Sequence, residues 1–243
     1  MQESTHSPIA RLSAQEFLNS VRALRPSIAV FDCDGTLWSG DAGSSFMQWS
    51  MESGLLSREA CDWLDARYRA YEHGEVSELA MCGEMVQIYR GLRETELRTA
   101  AHTFFSLYIQ PRIFPVMQLL CAELKALGTA LWAVSSTNDW VIEAAVVHFG
   151  IPPERVLSAR VRAVDGVITD ELIDVPTDEG KAMALGRKGI VNPEAVFGNS
   201  IHDAAMLALA QQPFAVNPSE ELLRIATMNG WLIFHPELPQ HIG

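Results

Sequence analysis

Short runs of apolar residues, each followed by polar residues, recur along the chain and predict buried strands. Segments with apolar residues at helical spacing separate these runs. The predicted strands cover residues 28–31, 131–134, 195–197, 214–216 and 231–234, and the predicted helices cover residues 115–127, 138–149, 179–188 and 202–211. Strands that alternate with helices favour a parallel sheet with right-handed crossover connections. The pattern therefore predicts an α/β fold with a doubly wound parallel sheet.

Residues 42–110 do not follow this alternation, because their apolar positions recur at helical spacing almost throughout. The predicted helices in this segment cover residues 44–53, 57–72, 77–90 and 94–108. We therefore predict an all-helical cap of residues 42–110, inserted into an α/β core of residues 1–41 and 111–243. Hinges are expected at Ser39–Gly40 and around Gln110–Pro111.

Two local signals add detail to this prediction. Ser13 and Glu16 have the spacing of a capping box, which predicts the start of a helix near the N-terminus. Asp165 and Gly166 form a turn pair between two short runs of β-forming residues. This arrangement predicts a β-hairpin over residues 163–169.

The composition excludes several classes of protein. Of the 243 residues, 48% are hydrophobic and 20% are charged, which is typical of a globular protein rather than a disordered one. Lys and Arg number 18 and Asp and Glu number 30, so the net charge is −12. This charge argues against general binding to nucleic acid or to anionic membranes. A phosphorylated substrate would need a cation placed locally.

The expected location is the cytoplasm. The four cysteines are scattered without the spacing of a metal site, and the first ten residues lack the apolar segment of an export signal. No apolar run reaches the length that a membrane span requires. We therefore expect a cytoplasmic protein with reduced thiols and no membrane partner.

Two carboxylates follow the first predicted strand, in the segment Asp32–Thr36. In an open α/β sheet, ligands bind at the carboxyl ends of the strands. Asp32 and Asp34 there suit a divalent cation such as Mg²⁺, or a nucleophile paired with a general acid and base. The simpler alternative is a strand end followed by an Asx-Gly turn.

Three further polar segments occupy comparable places. Hydroxyl groups and main-chain N–H groups of Ser135–Thr137 follow the second strand and suit an anion, or simply cap a helix. Lys181 lies near a helix start, where the helix dipole disfavours it unless an anion compensates, although a solvated lysine is the usual case. Asn199 and Asp203 follow the strand 195–197, where they could face one point or form a turn and a helix cap. Together the four segments predict one composite site.

These four segments resemble, in this order, motifs I to IV of the haloacid dehalogenase (HAD) superfamily of phosphohydrolases. The resemblance spans roughly residues 27–217. An insertion between motifs I and II is similar to the C1 class of caps, and the spacing looks most like the phosphoserine-phosphatase-like branch. The resemblance implies a Rossmann-like core with a helical C1 cap that closes over the site.

The resemblance also implies a role for each matching residue. Asp32 would be the nucleophile that forms an aspartyl-phosphate, Asp34 the general acid and base, and Lys181 the cation that neutralises charge between Asp32 and phosphate. The implied phosphate-binding residues are Thr36, Ser135, Ser136 and Lys181. The implied Mg²⁺ ligands are Asp32, the main-chain carbonyl of Asp34, and Asn199 or Asp203.

The sequence departs from the phosphoserine-phosphatase pattern at three places. Asn199 stands where motif IV usually has its first Asp, which removes one negative charge from the metal ligands. Asp41 stands where those enzymes have a cap Glu, and Gly83 stands where they have a cap Arg that holds the substrate carboxylate. Candidate substitutes for that arginine are Arg67, Arg69 and Arg90. We therefore expect a substrate other than phosphoserine.

Four residues that flank the motifs are candidates for contact with the leaving group. They are Asp41, Trp49, Asn138 and His202. Trp49 has an alternative place in the core of the cap, because it lies at helical spacing from Phe46. His202 has an alternative place on the surface.

The predicted function is Mg²⁺-dependent hydrolysis of a small phosphorylated metabolite through an aspartyl-phosphate. One alternative is a phosphotransferase, in which an acceptor alcohol replaces water. A second is a non-catalytic protein that binds metal or phosphate, with Asn199 marking a degenerate motif IV. A third is a partner-binding protein that uses an aromatic face of the cap.

Overall fold

The computed structural model describes residues 11–238, and these residues form one seven-stranded sheet. The strands are β1 (Ile28–Phe31), β2 (Ala130–Asn138), β3 (Val156–Val164), β4 (Val167–Asp174), β5 (Ala195–Gly198), β6 (Gln212–Val216) and β7 (Leu232–Phe234). Their order is β4-β3-β2-β1-β5-β6-β7, and every neighbouring pair is parallel except β3 and β4. The predicted α/β fold with a doubly wound sheet is confirmed.

Ten α-helices accompany the sheet in the described part of the chain. They are α1 (Ala14–Leu24), α2 (Ala42–Glu52), α3 (Arg58–Glu72), α4 (Glu78–Gln87), α5 (Glu94–Phe104), α6 (Pro115–Ala126), α7 (Asp139–Val146), α8 (Glu179–Arg187), α9 (Ala204–Leu207) and α10 (Glu220–Asn229). The capping box predicted from Ser13 and Glu16 is present at the start of α1. A π-helical turn, Phe105–Ile109, extends α5.

β1 lies at the centre of the sheet, and this position decides where the polar segments meet. Phe31, the last residue of β1, is in register with Ala133 of β2 on one side and with Phe197 of β5 on the other. The three strands are parallel, so their carboxyl ends point to the same edge of the sheet. The residues that follow β1 and β5 and the last residues of β2 are therefore brought together there.

The sheet buries apolar side chains on both faces, because successive side chains of a strand point to opposite sides. On one face Phe31 stacks on Phe197, with ring centroids 4.5 Å apart, and Phe17 of α1 packs on the same layer. On the other face Val30 and Val196 are fully buried with the helices α8 and α9. Burial of each large apolar side chain stabilises the fold by about 1.5–3 kcal/mol.

The segment of residues 42–110 contains α2 to α5 and no strand. Its interior is an aromatic cluster in which Phe46 packs against Trp49, Tyr89 and Phe104. The link between α4 and α5 is hydrogen-bonded to the β3–β4 hairpin, since Ile168 N donates to Leu92 O at 2.9 Å. The helices of this segment are thus attached to the edge of the sheet. The domain boundaries of the cap stay a prediction.

Three predicted elements differ from the structure. β2 continues through Ser135 to Asn138 instead of ending at residue 134, and the hairpin strand β3 begins at Val156 and pairs with β2. The predicted helix over residues 202–211 is an α-helix only over Ala204–Leu207. This helix is short because the chain turns back at Gln211, whose N–H donates to Pro193 O, before entering β6.

Within residues 11–238, none of the helices has the length and apolar character needed to cross a membrane. The predicted absence of an export signal concerns residues 1–10, which lie outside the described residues. The same is true of residues 239–243, which the predicted core also includes.

Candidate active site

Asp32 follows β1 directly and is almost completely buried at the edge of the sheet. Its N–H donates to Phe197 O at 2.9 Å, which continues the parallel ladder with β5. Its carboxylate accepts hydrogen bonds from Thr36 Oγ1 and Lys181 Nζ, each at 2.8 Å. Burial and the nearby charge of Asp203 raise the pKa of Asp32 to about 6, and Lys181 opposes this rise. Asp32 is held in place while its carboxylate remains anionic at neutral pH.

Lys181, on α8, lies between two buried carboxylates rather than in solvent. Its Nζ donates to Asp32 Oδ1 at 2.8 Å and to Asp203 Oδ1 at 2.5 Å, and the side chain is 3% exposed. Burial alone would lower the pKa of Lys181, but Asp203 and Asp32 together raise it above its ordinary value. A permanent positive charge therefore stands beside Asp32. This is the anionic environment that a lysine near a helix start requires.

Asp203 holds the segment after β5 in shape. Its Oδ2 accepts the N–H groups of Asn199 and Ser200, both at 2.9 Å, while its Oδ1 accepts from Lys181. The side chain is fully buried. A side chain at Gly198 would not fit, because its Cβ would lie 2.7 Å from Cβ of Asp203. Both oxygens of Asp203 are thus occupied by protein donors, and its predicted role as a metal ligand stays a prediction.

Asn199 packs against the loop that carries Asp34. A Cβ on Gly35 would lie 1.9 Å from Asn199 Nδ2, and Gly35 has a φ of +75°. Only glycine therefore meets both the backbone and the packing requirement at this position. The close approach brings the amide of Asn199 next to the Asp32–Thr36 loop.

The oxygen donors on these two loops fit Mg²⁺ as a hard cation. The predicted ligands Asp32, the carbonyl of Asp34 and the amide oxygen of Asn199 are the oxygen types that Mg²⁺ prefers, and one or two carboxylates suffice for it. Within residues 11–238, the structure contains no cluster of three or more His, Cys, Asp or Glu side chains that could hold a metal ion. A metal site here therefore needs neutral ligands such as a main-chain carbonyl or an amide oxygen. The donor set therefore fits Mg²⁺, with less negative charge than a second carboxylate at residue 199 would supply.

Asp34 faces the start of α2 and the end of β2. Its Oδ1 accepts from Trp38 Nε1 and from Ala42 N, each at 2.7 Å, and its Oδ2 accepts from Thr137 Oγ1 at 2.8 Å. Burial and the charge of Asp41 raise the pKa of Asp34 to about 7. A carboxyl group with this pKa can both donate and accept a proton near neutral pH. The contact with Ala42 also joins Asp34 to the first residue of the helical segment.

A cavity of about 110 Å³ opens next to Asp34, between the helical segment and the end of β2. Asp41 and Asn138 line it, as does Ser136. The other lining residues are Gly43, Ser44, Tyr68, Tyr71, Glu78, Met81, Cys82, Met85, Val86 and Thr137. The cavity is therefore built from both the core and the helical segment.

The three hydroxyl groups predicted to bind phosphate have different surroundings in the structure. Thr36 is fully buried against Asp32, and Ser136 faces the cavity. Ser135 Oγ accepts from Thr137 N at 3.1 Å in a local turn. Asn138, rather than one of the hydroxyls, caps α7 by accepting from Val141 N. Their phosphate contacts stay predictions.

Two of the four residues expected to contact the leaving group lie elsewhere. Trp49 does not line the cavity, since its ring stacks on Phe46 and packs against Phe104 inside the helical segment. His202 lies just outside the cavity, where Nδ1 is 2.6 Å from Asp178 Oδ1 and Nε2 is 4.0 Å from Glu78 Oε2. His202 therefore lies between Asp178, which precedes α8, and Glu78, the first residue of α4.

None of the three candidate arginines reaches the cavity. Arg67 binds Glu84 through two hydrogen bonds of 2.6 and 2.8 Å. Arg69 pairs with Asp65, and Arg90 pairs with Asp170 of the hairpin. Gly83 faces the hairpin, since a Cβ there would lie 3.2 Å from Leu172. Among the described residues that line the cavity there is thus no arginine to match the cap Arg of the phosphoserine-phosphatase pattern.

Sequence reasoning missed the residues of the helical segment that line the cavity. Tyr68 and Tyr71 have the helical spacing of core residues, and only the path of α3 turns them toward the site. Glu78 follows the N-cap Ser77, where an acidic residue is expected for its effect on the helix dipole alone. Nothing in the local pattern separates these residues from an ordinary amphipathic helix.

Comparison with known proteins agrees with this architecture. The family model for haloacid dehalogenase-like hydrolases matches residues 29–208. A histidinol-phosphatase from Neisseria meningitidis serogroup C (strain 8013) is 26% identical over 220 residues, which cover 86% of this chain and 98% of that protein. A probable phosphatase from Mycobacterium tuberculosis is 22% identical and covers 84% of this chain and 73% of that protein.

Solved structures share the fold. A protein of unknown function from Bordetella pertussis Tohama I superposes with a TM-score of 0.75 at 22% identity, covering 85% of this chain and 97% of that one. A phosphoserine phosphohydrolase-like protein from Francisella tularensis has a TM-score of 0.58 at 17% identity, covering 86% and 94%. The family match, the sheet order and the four assembled segments together show that this chain is an enzyme that belongs to the haloacid dehalogenase-like hydrolases.

Proposed function

We propose that this enzyme hydrolyses a small phosphomonoester with Mg²⁺ through an aspartyl-phosphate on Asp32. The single observation that carries the proposal is Lys181, which is buried between Asp32 and Asp203 with its charge retained. A buried cation beside a buried carboxylate is suited to an incoming phosphate dianion, because phosphoryl transfer depends on positioning and charge neutralisation. In an acidic protein, this lysine supplies the local cation that a phosphate substrate needs.

The first step forms a covalent bond. A carboxylate oxygen of Asp32 attacks phosphorus, and the bond between phosphorus and the ester oxygen breaks. The leaving alkoxide takes its proton from the carboxyl group of Asp34, whose pKa of about 7 supports this role. Lys181 balances the charge of Asp32 and of the phosphoryl oxygens during the step. Asp32, the Asp34 carbonyl and Asn199 would hold Mg²⁺, which would supply further positive charge to the phosphoryl oxygens.

The second step restores the enzyme. The carboxylate of Asp34 takes a proton from a water molecule, and that water attacks phosphorus. The bond between phosphorus and Asp32 breaks, which releases inorganic phosphate and a free carboxylate. The sum of both steps is one ester and one water converted to one alcohol and one phosphate. Thr36, Ser135 and Ser136 are proposed to orient the phosphoryl oxygens.

The proposed substrate is a small phosphorylated metabolite whose alcohol enters the cavity beside Asp34. The relative from Neisseria meningitidis is named a histidinol-phosphatase, so histidinol phosphate is one compound to test. The four cysteines are free thiols, which supports the proposed location in the cytoplasm.

The test is phosphate release from a panel of small phosphomonoesters, with Mg²⁺ and with chelator, by the wild type and Asp32→Asn. We expect release that depends on Mg²⁺ and disappears in the variant. Release that continues in Asp32→Asn would overturn the assignment of the nucleophile. Addition of acceptor alcohols distinguishes a phosphotransferase, which would form new esters. Binding of metal without turnover of any ester would favour the non-catalytic alternative.

A further inference from the structure

We propose that the leaving alcohol carries a positively charged nitrogen and no carboxylate, and that Glu78 is the residue that selects it. This inference rests on the proposed phosphatase function, because the cavity in question adjoins Asp34. It adds a substrate class and a specificity residue to that proposal.

The cavity is placed to receive the alcohol. Thr137, which lines the cavity, donates to Asp34 Oδ2 at 2.8 Å. Asp41 and Gly43 line it as well and flank Ala42, whose N–H donates to Asp34 Oδ1. Gly43 leaves room there, since a Cβ would lie 2.8 Å from Thr137 Oγ1. A group bound in the cavity is thus on the side of Asp34, the proposed acid for the leaving oxygen.

Glu78 presents a half-buried carboxylate to this cavity. Its Oε2 accepts from Tyr71 Oη at 2.5 Å and its Oε1 from Cys82 Sγ at 3.3 Å, both neutral donors. The imidazole of His202 lies farther away, with Nε2 4.0 Å from Oε2 of Glu78, and its Nδ1 contacts Asp178 Oδ1 at 2.6 Å. Among the described residues that line the cavity, none is Lys or Arg. A partly desolvated carboxylate whose hydrogen-bond donors are a phenol and a thiol favours a cationic ligand.

The faces of two tyrosine rings in the cavity also favour a cationic ligand. The rings of Tyr68 and Tyr71 lie 5.8 Å apart and both line the cavity. Burial raises the pKa of Tyr71, which therefore stays a neutral phenol beside Glu78. A cation over a tyrosine ring is attracted by the negative face of the ring. Met81 and Met85 complete an apolar wall for the carbon chain of the alcohol.

A carboxylate on the leaving group has no partner in the cavity. Asp41 and Glu78 repel it, and specificity of this kind arises as much from repulsion as from attraction. The arginines of the helical segment that were considered for this role are paired with Glu84, Asp65 and Asp170. The cavity therefore favours a phosphorylated amino alcohol over a phosphorylated amino acid.

The test compares three esters of similar size: phosphoethanolamine, 2-hydroxyethyl phosphate and phosphoserine. They present a cation, a neutral hydroxyl group and a cation with a carboxylate, respectively. We expect kcat/KM for phosphoethanolamine to exceed that for each of the other two by at least about 10-fold. Histidinol phosphate provides a larger amine for the same comparison.

The variant Glu78→Gln tests whether Glu78 causes the preference for a cationic leaving group. We expect the ratio of kcat/KM for phosphoethanolamine to that for 2-hydroxyethyl phosphate to fall at least about 10-fold in this variant. The ratio cancels any general loss of activity that the substitution causes. Glu75→Gln is the matched control, because Glu75 is an exposed carboxylate of the same segment that does not line the cavity. We expect it to leave the ratio unchanged.

The outcomes separate this inference from the function on which it rests. Hydrolysis of all three esters with equal efficiency, or a preference for phosphoserine, overturns the inference and leaves the phosphatase proposal intact. An unchanged ratio in Glu78→Gln overturns the assignment of Glu78. Failure of the wild type to release phosphate from any ester overturns the proposed function and this inference with it.

Discussion

Nζ of Lys181 lies 2.8 Å from Oδ1 of Asp32, although 149 positions separate the two residues in the chain. The same nitrogen lies 2.5 Å from Asp203. One lysine on α8 thus contacts two carboxylates, one that follows β1 and one that follows β5. Loss of the lysine leaves two buried carboxylates without a compensating charge, so catalysis and stability respond together to its removal.

Lys181→Met is expected to lower turnover by at least about 100-fold, in the range seen when one preorganised donor is removed. Without the lysine, Asp32 is a buried carboxylate beside Asp203, and its pKa rises further above that of the unfolded chain. A raised folded pKa means that stability is lost as the pH rises through it. Denaturant unfolding at pH 5 and pH 8 should therefore show a larger loss at pH 8. Lys188→Met, at an exposed lysine, is the control and should change neither property.

Asp32→Asn is expected to abolish measurable turnover while the fold is retained. Lys181 keeps Asp203 as its partner, and the repulsion between Asp32 and Asp203 is removed. The midpoint of thermal unfolding should therefore change little. Phosphate release and circular dichroism on the same sample check both parts. A variant that unfolds would show that Asp32 serves mainly to hold the loop together.

Gly35→Ala is expected to displace Asn199 and lower turnover by at least about 10-fold. The new Cβ would lie 1.9 Å from Asn199 Nδ2, so the amide must move. The positive φ of +75° adds a cost of about 1 kcal/mol. Gly54→Ala is a matched control, because its φ is +74° and nothing lies within 4 Å of the new Cβ. Equal effects of the two variants on turnover would contradict the contact with Asn199.

Asn199→Asp is expected to lower the Mg²⁺ concentration needed for half-maximal activity by about 10-fold, because one more carboxylate joins the proposed ligands. The measurement is phosphate release across a Mg²⁺ titration, together with calorimetric binding of Mg²⁺. Asn192→Asp, at an exposed position, controls for net charge. An unchanged Mg²⁺ requirement would remove residue 199 from the proposed metal site.

Asp139→Asn is expected to flatten the dependence of stability on pH. Burial raises the pKa of Asp139 to about 6, although Arg160 lies 2.9 Å away. Its contribution to stability is therefore present below the ordinary pKa near 4 and lost as the pH rises to 6. Relative to the wild type, the free energy of unfolding of the variant should rise by about 2 kcal/mol between pH 4 and pH 7. Asp170→Asn should show the opposite sign, because Arg90 lowers the pKa of Asp170.

Many of the strands and turns can be predicted from the sequence, because they depend on interactions between residues that are close together in the chain. The strands near residues 28, 195 and 214 are apolar runs, and the hairpin turn at Asp165–Gly166 is a two-residue signal that the structure reproduces. The pairing of β3 with β2 was not foreseen. It joins segments more than 20 residues apart, and no local pattern encodes that contact.

The order of Asp32, Ser135, Lys181 and Asn199 along the chain was sufficient to predict one site, because parallel strands bring their carboxyl ends to the same edge of a sheet. Which oxygens contact Lys181, and how the pKa values of Asp32 and Asp34 rise, depend on burial and on distances of a few ångströms. The same holds for the leaving-group cavity. Trp49 and Tyr71 have similar helical patterns, yet packing turns Trp49 into the aromatic cluster and Tyr71 toward Glu78. Periodicity assigns each of them to a helix, and the packing of that helix decides which neighbours its side chain contacts.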